Sequence, residues 1–186
     1  TYQREVAYDM RDGAHMTLSA IRTTLHVGAH ADAPNHYAKD GIGIGAQDLS
    51  PYYGPCQVIR VDVAAGQRIH PKDVQATITQ PRVLLHTGSF PAPDTFNDDF
   101  VSLSPELVHW LDAQGVLLVG IDTPSVDPFS SKELESHKAL AATQMTNLEG
   151  LVLTHVEPGE YTLIALPLPL ADADASPVRA ALAPLT

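Results

Sequence analysis

Along the chain, apolar residues gather into short runs separated by clusters of proline, glycine and polar side chains. After a polar stretch over residues 1–17 with an Asp12-Gly13 turn, Met16 to Val27 reads as a strand that delivers His26 at its end. Cys56 to Val63 predicts a second strand, entered from the turn Ser50 to Pro55, and Arg82 to Thr87 a short third. A helix is well marked after it. Ser104 is its N-cap, Pro105 fits the first helical position, Leu107, Val108 and Leu111 form the apolar stripe, and Gly115 closes it. Val116 to Ile121 is a continuous apolar run, the pattern of a strand buried on both faces.

That strand runs into the polar loop Asp122 to Pro128, at the strand end where α/β folds carry ligand sites. Ser130 and Glu133 then stand at capping-box spacing for a second helix, with Leu134, Leu140, Ala141 and Met145 on its inner face. Leu151 to Leu153 and Tyr161 to Leu166 read as strands joined through Pro158-Gly159, and Ser176 to Leu182 as a short capped helix. The loop over 88–101 is long enough to act as a flap. The glycine-rich loop from Asp40 to Gly45 lacks the spacing and following helix of a phosphate loop. With no internal repeat and no linker, residues 1–186 are expected to form a single α/β domain around a largely apolar sheet.

Composition narrows the function classes. A formal net charge of −11 disfavours nucleic acid and anionic membrane surfaces, both of which attract basic patches. No run approaches the ~18 apolar residues of a membrane span, and no secretory signal is visible, so the cytoplasm is the default location. A single cysteine, Cys56, rules out an intrachain disulfide and any cysteine-rich zinc site; it reads as a small buried residue.

The chemistry concentrates in His26-Val-Gly-Ala-His30-Ala-Asp32-Ala-Pro34-Asn-His36. Three imidazoles and a carboxylate alternate there with small or apolar residues. Imidazole plus carboxylate without thiolate suits Zn²⁺, Mn²⁺ or Fe²⁺. Fully extended, His26 to Asp32 would span roughly 20 Å at ~3.3 Å per residue, too far for one metal cluster. The chain must therefore fold back, and Gly28 and Pro34 are the positions suited to it. His86, at a strand end, stands as a possible neighbour of the site, whereas His15, His70, His109 and His155 read as ordinary surface or helix histidines.

A second ligand group is needed, and the best candidates for it are His137 and Glu149, which taken singly read as a solvated helix histidine and a surface-turn carboxylate. On one continuous helix the two would lie about 18 Å apart at ~1.5 Å per residue, so the helix must stop near Met145, with Asn147 and Gly150 as the break. With Asp32 bridging, five ligands can hold two metals with room for water, a design for hydrolysing an amide, ester or lactam. His36, beyond Pro34, is placed to shuttle a proton.

The motif resembles the signature of the metal-dependent cyclase-like hydrolases, most closely their kynurenine formamidase branch. The segments Gly120 to Pro128, Ser131-Lys132 to His137, Leu148-Glu149-Gly150, Ile164 to Pro167 and Ala175 to Arg179 carry the same likeness, which spans nearly the whole chain. The resemblance implies a swivelling β/β/α fold with a mixed sheet, usually as a homodimer. It implies one zinc on His26, His30 and Asp32, and a second on Asp32, His137 and Glu149, with Mn²⁺ as the alternative metal. His36 becomes the catalytic acid/base. The implied reaction is hydrolysis of N-formyl-L-kynurenine to L-kynurenine and formate in tryptophan breakdown. Relatives begin with a Trp-containing strand and a proline-rich loop that this chain starts after, and Ala29 stands where many have Thr. The rival readings are an isatin-hydrolase-like enzyme acting on cyclic amides, a non-catalytic metal-binding module, and a structural zinc site.

Overall fold

The structure is a computed structural model that describes residues 2–185. Its strands are β1 (Gln3–Tyr8), β2 (Leu18–Arg22), β3 (His30–Asp32), β4 (Tyr53–Arg60), β5 (Arg68–Ile69), β6 (Arg82–His86), β7 (Ser102–Leu103), β8 (Leu118–Ile121), β9 (Thr146–Glu149), β10 (Gly159–Ile164), β11 (Ala175–Pro177) and β12 (Ala181–Pro184). Among the described residues three α-helices accompany them, with a few short 3-10 turns: the single turn α1 (Pro34–Tyr37), α2 (Pro105–Ala113) and α3 (Glu135–Thr143). No described helix is long and apolar enough to cross a membrane.

Eight strands form one curled mixed sheet in the order β11-β3-β9-β8-β6-β4-β10-β12. Its centre, β4-β6-β8-β9, is parallel, and the strands outside it are antiparallel. Side-chain alternation divides this centre between two cores. Ile59, Val83, Leu85, Val119 and Ile121 face Leu107, Val108 and Leu111 of α2 and Leu140 of α3. Val58, Leu84, Leu118 and Leu148 face the other way, against Tyr52, Cys56, Leu163 and Ala165. Ala31 and Leu148 take this second core, so their neighbours His30, Asp32, Asn147 and Glu149 project toward the helix-covered face. The polar site thus occupies the helix side of the sheet at its parallel-to-antiparallel seam.

The helix at 104–113 forms as its signals require, with Ser104 Oγ accepting from the Leu107 N–H and Pro105 in the first turn. Cys56 is buried in β4, and burial pushes its thiol up to about 11. Four element assignments are corrected. The strand expected over Met16 to Val27 ends at Arg22, and His26 lies in a bend where Gly28 (φ 59°) folds the chain back. The second helix begins at Glu135 and takes no cap from Ser130. Leu134 before it is left-handed (φ 49°) and caps nothing. Thr143 ends that helix, and Asn147 is a β9 residue, not a helix break. Leu151 to Leu153 lies outside any strand. The expected tail helix is instead the two strands β11 and β12. Both are edge strands, where Pro177 and Pro184 are tolerated because an edge needs no further N–H partner.

Candidate metal centre

Each half of the site has a local reason for its geometry. In β3, His30 and Asp32 share a face by the two-residue strand period. Pro34, fixed at a helix-compatible φ, opens α1 directly after it and swings His36 and Tyr37 back over that face. The β9 residues Asn147 and Glu149 share the same face of the adjoining strand, with His30 paired directly to Glu149 in the antiparallel register. From above, α3 presents His137.

The donor atoms converge. His30 Nε2 lies 3.5 Å from Asp32 Oδ1 and 3.2 Å from Glu149 Oε2. His137 Nε2 lies 3.4 Å from both Asp32 Oδ2 and Glu149 Oε1. His26 Nδ1 stands 3.0 Å from Asp32 Oδ1. Two donors bound ~2.0–2.1 Å from one tetrahedral ion are themselves about 3.4 Å apart, so these separations match shared coordination. His30, Asp32, His137 and Glu149 are each at most 3% exposed. Yet His30 Nε2, Asp32 Oδ1 and His137 Nε2 make no hydrogen bond, a costly arrangement for buried polar atoms unless a cation completes it. Two trios of donor atoms lie within 4.8 Å of one another around Asp32: one with His26 and His30, the other with His36 and His137.

The electrostatics agree. Burial opposes the charged form of His137, but Asp127, Asp32 and Glu149 outweigh it and raise the imidazole to about 11. Burial likewise opposes His26, which Asp32 and Asp174 raise to about 9. His30 is raised against burial, chiefly by Glu149. Burial works against the Asp32 carboxylate too, yet the surrounding imidazoles hold it far below the usual range. Glu149 is lowered against both burial and the Asp32 charge, by His137 and His30. Ionised carboxylates here demand positive charge, and a divalent cation would meet that demand in place of protons on the histidines. His36 differs. Burial, with the neighbouring imidazoles, lowers its pKa, so it is neutral at pH 7.

Sequence reasoning missed several participants. Asp174, immediately before β11, places Oδ2 2.9 Å from His26 Nε2 and 3.9 Å from His36 Nδ1. Asn147 Nδ2 donates to Asp32 Oδ2 (2.8 Å), and Asp127 Oδ2 accepts from His137 Nδ1 (2.8 Å). The Tyr37 ring lies 5.3 Å from that of His137. Only Asp127 had a signal, its place in the loop after β8. That loop also supplies the Val126 N–H to Glu149 Oε1. His86 stays outside the cluster, with Nε2 3.1 Å from Arg60 and 3.9 Å from Asp122. Asp122 in turn accepts from the Thr87 and Gly88 N–H groups and so anchors the base of the 88–101 loop. Beside His26 and His30 opens a cavity of about 630 Å³, walled by Phe90 and Phe96 of that loop and by Pro124 and Leu151.

A cation-ready cluster of histidine and carboxylate at the seam of this sheet defines a class, and the chain belongs to it. The Cyclase family model ("Putative cyclase") matches residues 2–128. Among solved structures, a "Potential Metal-Dependent Hydrolase With Cyclase Activity" superposes with a TM-score of 0.82 at 26% identity, covering 97% of this chain and 86% of that one. An isatin hydrolase bound to thioisatinate superposes with a TM-score of 0.81 over 98% of this chain and 82% of its own; at 20% identity that likeness is one of fold. More particularly, the chain is 45% identical over 183 residues to kynurenine formamidase of Bordetella petrii, covering 97% of this chain and 87% of the relative. It is 45% identical over 184 residues to kynurenine formamidase of Bordetella pertussis, with the same coverage.

Proposed function

We propose that this protein is a metal-dependent formamidase that hydrolyses N-formyl-L-kynurenine to L-kynurenine and formate in tryptophan degradation. The observation that carries this reading is the set of buried, unpartnered donor atoms from His30, Asp32 and His137. It occurs in a chain 45% identical to kynurenine formamidases over 97% of its length. His26, His30 and Asp32 hold one Zn²⁺, and Asp32, His137 and Glu149 a second, with Mn²⁺ as the alternative. The enzyme works as a cytoplasmic homodimer of one-domain chains. A divalent cation there supplies Lewis acidity and lowers the pKa of the water it binds.

The chain's own groups do the rest. The aromatic wall of Phe90 and Phe96 receives the aryl ring and leaves the small formyl group at the donor cluster. His36 belongs with the acid/base work although it lies within ligand distance of Asp32 and His137. Its side chain is 31% exposed, and its lowered pKa makes it a neutral base. It takes a proton as water oxygen attacks the formyl carbon, and returns one to the aryl nitrogen as the C–N bond breaks. Asn147 and Asp174 fix Asp32 and His26.

The test is metal-replete turnover of N-formyl-L-kynurenine and isatin side by side. Preference for the formamide is expected. Absence of its hydrolysis overturns the proposal, and hydrolysis of isatin alone would install the cyclic-amide reading.

A further inference from the structure

His137 reaches the site from a helix whose own N-cap residue caps nothing. Leu134 sits left-handed there, with no side-chain hydrogen bond to the helix N–H groups. Asp127, seven positions upstream in the loop after β8, takes that role. Its Oδ1 accepts from Ser136 N (3.0 Å), and its Oδ2 from Ser136 N and His137 N (each 3.1 Å). The same Oδ2 accepts from the His137 ring through Nδ1 at 2.8 Å.

On the far side, Arg68 Nη1 donates to Asp127 Oδ1 at 3.0 Å. Arg68 belongs to β5, in the small two-stranded sheet with β7, and its guanidinium is itself clamped. Nη1 also donates to Leu103 O (2.6 Å) and Ser136 Oγ (2.8 Å), and Nη2 to Glu135 Oε2 (2.7 Å). Asp127 is 1% exposed, so its charge needs that partner.

We propose that Arg68 and Asp127 form a positioning pair that sets the tautomer of His137. The pair keeps a proton on Nδ1, so that Nε2, beside Asp32 and Glu149, is the nitrogen that gives up its proton to a cation. Four donor groups press on two oxygens, and only a carboxylate accepts on both sides. An amide must turn its NH₂ either against Arg68 or against His137 Nδ1. In the second orientation the ring proton moves to Nε2, the atom 3.4 Å from both site carboxylates, which then cannot bind a cation. Arg68 excludes the first orientation. This inference rests on the reading of His137 as a metal ligand.

The experiment uses the full chain. Zinc stoichiometry and affinity are measured by competition with a chromophoric chelator. The His137 tautomer is read by imidazole-nitrogen NMR on the zinc-loaded protein, in which the ring has shed one of its two protons. Asp127→Asn is expected to shift His137 toward the Nε2–H form and to weaken the zinc it shares by about 10–100-fold. The zinc held by His26 and His30 stays. Arg68→Met, which leaves Asp127 in place, is expected to move both readouts the same way by less, and it decides the matter if Asp127→Asn does not fold. Wild-type affinity with the Nδ1–H form intact in these variants overturns the proposal. Full zinc loading in His137→Ala overturns instead the assignment of His137 as a ligand.

Discussion

His30 and Glu149 are cross-strand partners in the antiparallel β3–β9 pair, and their side chains meet at 3.2 Å between Nε2 and Oε2. The ladder that holds the sheet edge together therefore also sets the spacing of the site. Asp32, one strand period farther along β3, inherits its place from the same register.

On the proposed assignment, that arrangement separates the residues that would hold the cation from the one that would move protons. His36→Ala is expected to keep wild-type zinc content and lose about 10²–10⁴-fold in kcat. Asp32→Ala is expected to lose both zinc and turnover. Elemental analysis beside steady-state kinetics checks the pair. An Asp32 variant with full metal and full activity would show that Asp32 bridges nothing.

The raised histidines predict how the metal-free protein responds to pH. His26 and His137 titrate at about 9 and about 11 in the fold against an ordinary 6.5. Their stabilising contribution is complete below about 6.5 and is lost as pH rises through those values. The depressed carboxylates Asp32 and Glu149 contribute above about 4 and lose that contribution on acidification. The melting temperature of chelator-treated protein should therefore fall from pH 6.5 to 9. Zinc binding improves as the histidines shed protons, so the zinc-induced rise in melting temperature should grow over the same interval. Melting curves with and without zinc measure both slopes. A zinc-induced rise that shrinks with pH contradicts the account.

Gly150 follows Glu149, a proposed ligand, with φ 65°, and a Cβ there would collide with the Gly28 carbonyl. Gly28 O in turn accepts from His30 Nδ1 at 2.8 Å. Gly150→Ala therefore strains the backbone and pushes on the support of His30. A cost of at least ~2 kcal/mol is expected. That corresponds to a melting temperature lower by about 4–8 °C. Zinc affinity should fall as well, whereas Gly115→Ala, far from the site, should leave zinc affinity unchanged.

The cavity wall makes a prediction about substrate size. Phe96 packs on Phe90 and Phe129, with ring centroids 6.2 and 5.2 Å away, and borders the cavity beside His26. Phe96→Ala is expected to raise KM for N-formyl-L-kynurenine roughly 2–10-fold, as the loss of one aromatic contact implies. Its effect on a small aliphatic formamide should be slight. Equal effects on both substrates would remove Phe96 from the aryl wall.

Much of this was readable in the chain and some was not, for physical reasons. The motif from His26 to His36 announced itself because its chemistry is dense and local, and Gly28 and Pro34 marked the folds that compact it. The caps of α2 are equally local. Asp174 and Asn147 carried no such mark. Asp174 meets His26 only because β11 pairs with β3, a contact between distant segments. The tail failed as a helix because strand pairing at the sheet edge overrode a cap-like Ser-Pro start. The start of α3 misled for a related reason. Its cap comes from Asp127, outside the window in which a capping box is sought.

The distance along the chain between the paired His30 and Glu149 has a kinetic consequence. More than a hundred residues separate them, and β11, which flanks β3, comes later still. Such pairings form late, after the loop between them has been closed. On the proposed assignment, a partly synthesised or partly folded chain would offer zinc no complete cradle. Added zinc should leave the refolding rate unchanged and slow unfolding, because the contacts it bridges are absent from the transition state.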